Sequence, residues 1–234
     1  MNIPWLSIII PVFREERQIR LLLEQLEAQD GVQDWEILIA DGDPERRTSA
    51  AVDDPDIVLV ASDLGRARQM NAGAQRSRGE VLLFLHADTR LPPHVGRMIR
   101  RALANPAVVG GAFSLEIAPA GFGLRLIAAA ANLRTRWTGV PYGDQAVFMR
   151  REPFEALGGY PDIPLMEDLE LMRRIRQKSW RITLLAATVQ TSGRRWAEEG
   201  VLWCSLRNWT IRLLYRFGVS PERLKRFYRT RGAP

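Results

Sequence analysis

Residues 81–88 read Val-Leu-Leu-Phe-Leu-His-Ala-Asp, an apolar run that ends in two polar side chains separated by one residue. A short apolar run with a polar end is typical of a buried strand. His86 and Asp88 then lie just beyond the end of that strand. The stretch therefore predicts a sheet with a strand end that carries groups able to bind a metal or a substrate.

Three similar apolar runs precede this one, at 6–10, 35–40 and 57–61. Amphipathic segments separate the runs, and the one at 66–76 predicts a helix. Strands that alternate with helices predict an α/β fold with a mostly parallel central sheet flanked by helices. Ligands of such sheets bind beyond the carboxyl ends of the strands, so the residues found there are the candidates for a site.

Candidate site residues follow each of the four predicted strands. Pro11 and Glu15 follow the first strand, Asp41 the second, Asp63 the third, and His86 with Asp88 the fourth. Aspartate is also common in turns and at helix starts, so any one of these residues could be purely structural. Several carboxylates on one edge of the sheet favour a binding site.

The second half of the chain is less regular. It predicts strands at 108–117, 145–149 and 180–187 and a helix at 165–177. The composition changes after Trp196, where basic amphipathic sequence begins. We therefore divide the chain into a domain of residues 1–196 and a helical extension of residues 197–234.

The extension contains a predicted helix at 201–217 and a shorter one at 221–228. Its apolar side chains recur at helical spacing with arginines between them. They are Leu202, Leu206, Trp209, Leu213 and Phe217. Two interpretations stay open, because such a face can pack on the domain or lie peripherally on a membrane.

Arginine supplies nearly all of the positive charge of this 234-residue chain, which carries a net charge of +6 and contains two lysines. Guanidinium groups match phosphate oxygens, so nucleic acid, acidic lipid and nucleotide diphosphates are the partners that this charge admits. Cys204 is the single cysteine. It excludes an internal disulfide or a cysteine-based zinc site and favours a cytoplasmic location.

The apolar segments are short. The run at 6–12 has no basic region before it and predicts a strand, not a signal peptide. Arg125 and Arg134 bracket the apolar segment 126–133, so no run reaches the roughly 18 apolar residues of a membrane-spanning helix. The sequence therefore predicts a protein that is at most peripheral to a membrane.

Further motifs extend the pattern along the chain. They are PVFREE at 11–16, GRARQMNAGA at 65–74, FLHADT at 84–89, PYGDQ at 141–145, PLMEDLEL at 164–171 and SGRRW at 192–196. Together they resemble family 2 glycosyltransferases, and within that family a small bacterial subgroup called arsenosugar-biosynthesis or radical-SAM/selenodomain-associated transferases. The resemblance covers residues 7 to about 228. It implies the GT-A fold and inverting transfer of a sugar from a nucleotide-diphosphate sugar to an acceptor hydroxyl.

The resemblance also implies a metal and a base. Asp88 stands where the family has the second aspartate of its DxD metal motif, and His86 replaces the first. The implied cofactor is Mn²⁺ or Mg²⁺, and an imidazole ligand favours manganese. His86 could instead contact the diphosphate or be structural. Asp168 matches the family's catalytic base, with Glu167 as its nearest rival.

The remaining site residues also follow from the resemblance. It places Pro11, Glu15, Asp41, Arg66, Arg68, Asn71, Asp88 and Arg195 at the donor, and Tyr142, Asp144, Gln145 and Glu167 at the acceptor. Asp41 would contact the nucleobase or ribose. Arg66 and Arg68 would face phosphate at a helix start, or else be solvated surface arginines. A UDP-sugar is the preferred donor, GDP stays open, and the acceptor is not identified.

Departures from the family motifs narrow the prediction. Phe13 and Arg14 replace a Tyr and an Asn of the opening motif, so that match is partial. Ser192 replaces the Gln of the QxxRW motif, which argues against a polymerising synthase.

Competing functions explain less of the sequence. A sugar-phosphate nucleotidyltransferase or a Rossmann dehydrogenase needs a glycine-rich first loop, and residues 11–16 contain no glycine. A non-enzymatic binder of nucleic acid or membrane would use the arginines. It would leave the aligned carboxylates unexplained, because carboxylates oppose phosphate binding.

Overall fold

The computed structural model describes residues 3–228 and contains one mixed sheet with helices on both faces. Its strands are β1 Leu6–Val12, β2 Trp35–Asp41, β3 Val58–Ala61, β4 Val81–Phe84, β5 Thr89–Arg90, β6 Val108–Ala118, β7 Phe148–Arg150 and β8 Arg181–Ser192. Their order across the sheet is β3-β2-β1-β4-β7-β6-β8-β5. The first four strands in this order are parallel, as the alternation of apolar and amphipathic segments predicts.

The helices connect and cover these strands. They are α1 Glu16–Glu27, α2 Arg47–Ala50, α3 Arg66–Arg76, α4 Val95–Ala102, α5 Phe122–Thr138, α6 Arg151–Ala156, α7 Glu167–Gln177, α8 Arg194–Glu199, α9 Val201–Arg216 and α10 Pro221–Tyr228. Short 3-10 turns lie at Val32–Asp34 and Gly143–Gln145. Within the described residues, no helix has both the length and the apolar character needed to cross a membrane.

Two apolar clusters cover the two faces of the sheet, and β1 contributes to both. Every residue of β1 is buried for this reason. Helix α3 lies very close to the strand, since a Cβ added at Gly73 would stand 2.5 Å from Ile9 Cγ2. A side chain at position 73 would push α3 away from β1, and α3 carries Arg66 at its start.

The predicted elements match closely in the first half and less well in the second. The predicted strand at 145–149 is wrong in its first part, because Gln145 belongs to a 3-10 turn and Ala146 has a φ of +46°. The strand begins only at Phe148. The predicted boundary after Trp196 falls inside α8, and the division into a domain and an extension stays a prediction.

Candidate active site

A cavity of about 200 Å³ opens at the carboxyl end of β4. It lies where parallel-sheet topology places ligands. Charged and polar side chains dominate its wall. They include Arg66, His86, Asp88, Tyr142, Asp144, Glu167, Asp168, Arg194, Arg195, Asn208, Arg212 and Tyr228.

His86 and Asp88 lie on the loop that follows β4, and both line the cavity. Burial, together with the positive charges of Arg66 and Arg195, lowers the pKa of His86 to about 3. The imidazole is therefore neutral near pH 7 and keeps one nitrogen lone pair available. A neutral imidazole can bind a metal or accept a hydrogen bond from a ligand.

Few side chains that could bind a metal lie together beside His86 and Asp88. Within residues 3–228, no group of three or more His, Cys, Asp or Glu side chains forms a metal site. His86 and Asp88 are the two predicted ligands. That number fits a divalent ion that also binds water and substrate phosphates, as Mg²⁺ commonly does at phosphate-transfer sites.

Asp168 lies in the first turn of α7, which begins after Met166. Met166 has a φ of +70°, a conformation that is uncommon for residues with a side chain. Asp168 Oδ2 accepts a hydrogen bond from the Gly143 N–H at 2.9 Å, and Oδ1 accepts one from the Leu169 N–H at 2.7 Å. These two amides fix the orientation of the carboxylate.

Gly143 separates Asp168 from the predicted metal ligands. A Cβ added at Gly143 would lie 3.4 Å from His86 Nε2 and 3.8 Å from Asp168 Oδ2. Both side chains therefore border one small volume, and Asp88 is part of the same wall. The loop after β4 and the start of α7 are distant in sequence. The 3-10 turn lies between them in space, and it has His86 on one side and Asp168 on the other.

Glu167 precedes Asp168 and is only 7% exposed. Burial and the neighbouring charge of Asp168 raise the pKa of Glu167 to about 7, although Arg66 opposes the shift. A carboxyl group with a pKa near the working pH is a competent general base. Glu167 is thus a chemical rival to Asp168.

Replacement of Glu167 by Gln is expected to stabilise the protein at high pH and to have little effect at low pH. Between pH 4.5 and about 7, the folded chain holds a proton that the unfolded chain has released, so the free energy of unfolding falls as the pH rises. At high pH, the substitution should raise the free energy of unfolding by up to about 3 kcal/mol. The measurement is the difference in melting temperature between wild type and variant across this range.

Glu170 provides a control of opposite sign on the same helix. Hydrogen bonds from Arg173 lower the pKa of Glu170. Glu170→Gln should therefore destabilise the chain at neutral pH, and the loss should vanish as the pH falls. A Glu167→Gln difference that stays constant with pH would contradict the raised pKa.

Tyr142 lies between two arginines, directly before the 3-10 turn Gly143–Gln145. The guanidinium carbons of Arg134 and Arg212 stand 3.4 Å and 4.1 Å from the centre of its ring. Burial raises the pKa of the neighbouring Asp144, and Asp144 Oδ1 is buried without a hydrogen-bond partner among the described residues. An unsatisfied buried acceptor costs about 1–3 kcal/mol, so a ligand group that donates to Asp144 would bind favourably.

A comparison with known families identifies the chain. Residues 7–158 match the family described as "Glycosyl transferase family 2". The chain belongs to glycosyl transferase family 2. The match covers more than half of the 234 residues and includes β1 to β7, and it confirms that the chain is of a glycosyltransferase type.

Curated relatives match part of this family 2 chain. The "Undecaprenyl-phosphate 4-deoxy-4-formamido-L-arabinose transferase" of Pectobacterium carotovorum is 32% identical over 116 residues, which cover 44% of this chain and 35% of the relative. A protein of the same name from Pseudomonas aeruginosa is 30% identical over 119 residues, covering 44% and 34%. The matched region therefore spans about a third of the length of these relatives.

Solved structures of low sequence identity share the fold. A mannosyltransferase of Pyrobaculum calidifontis, in complex with GDP-Man and Mn²⁺, superposes with a TM-score of 0.66 at 20% identity, covering 96% of this chain and 68% of that one. Residues 1–349 of S. aureus TarS give 0.62 at 17% identity, covering 80% and 60%. The predicted GT-A fold is confirmed, and the subgroup stays a prediction.

Several predicted site residues of this glycosyltransferase-family chain lie together in the cavity. They are Arg66, His86, Asp88, Tyr142, Asp144, Glu167, Asp168 and Arg195. Glu15 is not part of the cavity wall, and burial together with the charge of Asp88 raises the pKa of its carboxyl group. Arg195 donates a hydrogen bond to the Tyr228 hydroxyl, which connects α8 to α10.

Other predicted residues lie outside the cavity and make contacts within the protein. Arg68 donates to Asp162 on the surface at 2.8 Å. The Asn71 amide exchanges two hydrogen bonds with the backbone of Tyr160. Gln145 is fully buried, and its side chain bonds Phe113, Thr135 and Tyr142.

Pro11 and Asp41 also lie outside the cavity, at the carboxyl ends of β1 and β2. Pro11 is buried and pairs in register with Ala40. Asp41 is 1% exposed, and its carboxylate accepts hydrogen bonds from Asp43 N, Ser49 N and Ser49 Oγ at 2.8–2.9 Å. Roles for Pro11, Asp41, Arg68, Asn71 and Gln145 at the substrates stay predictions.

The structure adds cavity residues that the sequence motifs missed. Asn208 and Arg212 of α9, Tyr228 of α10 and Tyr160 contribute to the wall. The sequence offered one signal for α9, because Asn208 and Arg212 lie one helical turn apart. The apolar stripe at 202, 206, 209 and 213 is the stronger pattern in that segment.

Proposed function

We propose that this chain transfers a sugar from a nucleotide-diphosphate sugar to an acceptor hydroxyl, with inversion at the anomeric carbon. One observation carries the proposal. Asp168, oriented by two backbone amides, shares a small cavity with His86 and Asp88. A base and a diphosphate-binding end can thus act on the two sides of one sugar.

In the proposed reaction, the acceptor hydroxyl gives its proton to Asp168 while its oxygen forms a bond to the anomeric carbon. The bond from that carbon to the diphosphate oxygen breaks, and its electron pair leaves with the nucleoside diphosphate. A single displacement inverts the configuration, because the nucleophile enters opposite the leaving group. A double displacement would require a second carboxylate as nucleophile.

Asp88, with His86, would hold the divalent metal, either Mn²⁺ or Mg²⁺. Such an ion neutralises negative charge on the departing diphosphate. Arg66, Arg194 and Arg195 line the same cavity and would contact phosphate oxygens through their guanidinium groups. Asp144, with its unsatisfied Oδ1 among the described residues, and Tyr142 would contact the acceptor.

The donor and the location are parts of this proposal. A UDP-sugar is our first candidate donor, and the GDP-Man in the Pyrobaculum complex supports GDP as the second. The single cysteine supports a cytoplasmic location. The names of the curated relatives include a lipid phosphate, which supports peripheral contact with a membrane through α9, the longer helix of the C-terminal extension.

A thermal-shift screen tests the donor side of the proposal. UDP and GDP, with and without Mn²⁺, are added to the full chain, because a ligand of the folded state raises the melting temperature. We expect one nucleotide to raise it clearly more in the presence of the metal than in its absence. If neither nucleotide shifts the melting temperature with Mn²⁺ or Mg²⁺, the donor assignment is wrong.

Replacement of Asp41 by Asn is expected to raise the donor KM more than it lowers kcat. A contact to the nucleobase or ribose is equal in the ground and transition states, so its loss weakens binding alone. Loss of one hydrogen bond to a charged group predicts a change in KM of about tenfold. Steady-state kinetics with varied donor measure both constants.

Ser49→Ala is the control that distinguishes a donor contact of Asp41 from a structural role of Asp41 in its loop. It removes the 2.8 Å hydroxyl bond to Asp41 but leaves the carboxylate in place. A rise in KM for Ser49→Ala equal to that for Asp41→Asn would assign the effect to the loop at 41–49. A fall in kcat alone for Asp41→Asn would contradict the donor-binding role.

A further inference from the structure

Helices α5 and α9 carry large apolar side chains that face solvent. On α5 they are Phe122, Leu126, Leu133 and Trp137, and on α9 they are Leu202, Trp203, Leu206, Trp209 and Leu213, with Phe217 directly after the helix. Each is between 50% and 87% exposed. We call this set the α5–α9 surface. A contiguous exposed apolar area of this kind marks an interaction site.

The two helices lie side by side. At their starts, a Cβ added at Gly123 would stand 3.4 Å from Val201 Cγ1. Further along, Arg134 of α5 and Arg212 of α9 both contact the ring of Tyr142. The helices therefore run in the same direction along the same part of the molecule.

Both helices bury the opposite face. Ala128 and Thr135 of α5 are buried, as are Cys204 and Ile211 of α9. The apolar stripe of α9 that could have packed on the domain thus faces outward. The exposed stripes of both helices recur at three, four or seven residues, so each forms one continuous face.

The charge of this surface is uniformly positive. Residues 122–138 and 201–217 contain no Asp or Glu. Arg125 and Arg136 on α5, and Arg216 on α9, are exposed among the apolar side chains. Aromatic and aliphatic groups with arginines between them are the composition of helices that lie in a membrane interface.

We propose that the α5–α9 surface docks on an anionic phospholipid leaflet. The arginines would contact the headgroups, and the tryptophans and leucines would enter the boundary with the acyl chains. A second copy of the chain fits less well. A symmetric dimer through this surface would place arginines against arginines without an acidic residue on either helix.

The position of α9 connects this surface to the cavity. Trp209 and Leu213 of this helix are exposed, while Asn208, Ile211 and Arg212 of the same helix line the cavity. A helix is about 10 Å across, so docking would place the cavity about that distance from the headgroups. The inference rests on the proposed function and extends its membrane contact from α9 alone to the pair of α5 and α9.

Vesicle binding by the full chain tests the inference. We expect sedimentation with vesicles of phosphatidylcholine and phosphatidylglycerol, and much less with phosphatidylcholine alone. Trp209→Ser with Leu213→Ser on α9, and separately Leu126→Ser with Leu133→Ser on α5, should each weaken binding at least about tenfold. These side chains are exposed, so the melting temperature should change little.

Matched controls exclude general effects of the substitutions. Leu64→Ser removes a leucine that is 47% exposed outside the surface and should not alter binding. Arg125→Gln with Arg136→Gln should weaken binding to anionic vesicles, whereas Arg17→Gln on α1 should not. High salt should reduce binding of the wild type, because it screens headgroup charge.

The outcomes discriminate among occupants of the surface. Wild type that binds neither vesicle overturns the inference, as do α5 and α9 variants that bind like wild type. A wild type that is dimeric in solution, with the same variants monomeric, would assign the surface to a second copy. Vesicle binding without any transfer of sugar would support the docking surface and contradict the proposed reaction.

Discussion

Asp168→Asn is expected to lower kcat by about 100- to 10,000-fold while donor binding stays close to that of the wild type, which is the usual cost of losing a general base. An amide cannot take the proton of the acceptor hydroxyl. The substituted side chain would keep one oxygen able to accept the Gly143 N–H, which the carboxylate accepts at 2.9 Å. Turnover from a coupled assay for nucleoside diphosphate, with donor affinity from calorimetry, measures both effects.

Two further variants show which carboxylate acts. Asp162→Asn alters an exposed aspartate outside the cavity and should keep normal turnover. Glu167→Gln should lower kcat far less than Asp168→Asn does if Asp168 is the base. An active Asp168→Asn together with an inactive Glu167→Gln would move the role to Glu167, where the pKa is raised to about 7.

The fold could be predicted in large part because its signals are local. Apolar runs, helical spacing and alternation placed the four parallel strands and α3 within about two residues of their observed bounds. Such signals depend on burial on both faces of the sheet, which the sequence displays as continuous apolar residues. Local signals fail for the strand expected at 145–149, because hydrogen bonds to distant residues hold Gln145 in a turn.

Site residues whose positions depend on chain topology could be located from the sequence. Site residues whose positions depend on how helices pack could not. His86 and Asp88 were located from the end of a predicted strand, whereas Asp168 was located from the resemblance to family 2 glycosyltransferases. The orientation of α9 could not be predicted, since a helix with one apolar stripe can turn that stripe inward or outward. Here the smaller face with Cys204 and Ile211 is buried, and the aromatic stripe stays exposed.

Asn71 and Arg68 illustrate a related ambiguity. Amide and guanidinium groups bind substrates and also cap loops, and the sequence does not distinguish these uses. In the structure, Asn71 holds the backbone of Tyr160, and Arg68 pairs with Asp162. Arg66, two residues earlier on the same helix start, lines the cavity instead.

Asp88→Ala is expected to abolish metal-dependent binding of the nucleoside diphosphate. Asp88 is the one carboxylate on the loop after β4 that lines the cavity, and His86 alone would offer a single neutral ligand. Metal stabilisation of phosphate charge is worth several kcal/mol, so the affinity in the presence of Mn²⁺ should fall at least about a hundredfold. Calorimetry of UDP and GDP, with and without Mn²⁺, measures this loss directly.

Asp63→Ala is the matched control, because Asp63 follows β3 as Asp88 follows β4 but is largely exposed and outside the cavity. It should bind nucleotide and metal like wild type. Asp88→Ala should retain only the weaker, metal-independent affinity that the cavity arginines provide. If Asp88→Ala keeps full metal-dependent affinity, the ion is held elsewhere, and Glu15, whose pKa is raised by burial and by the charge of Asp88, becomes the next carboxylate to replace.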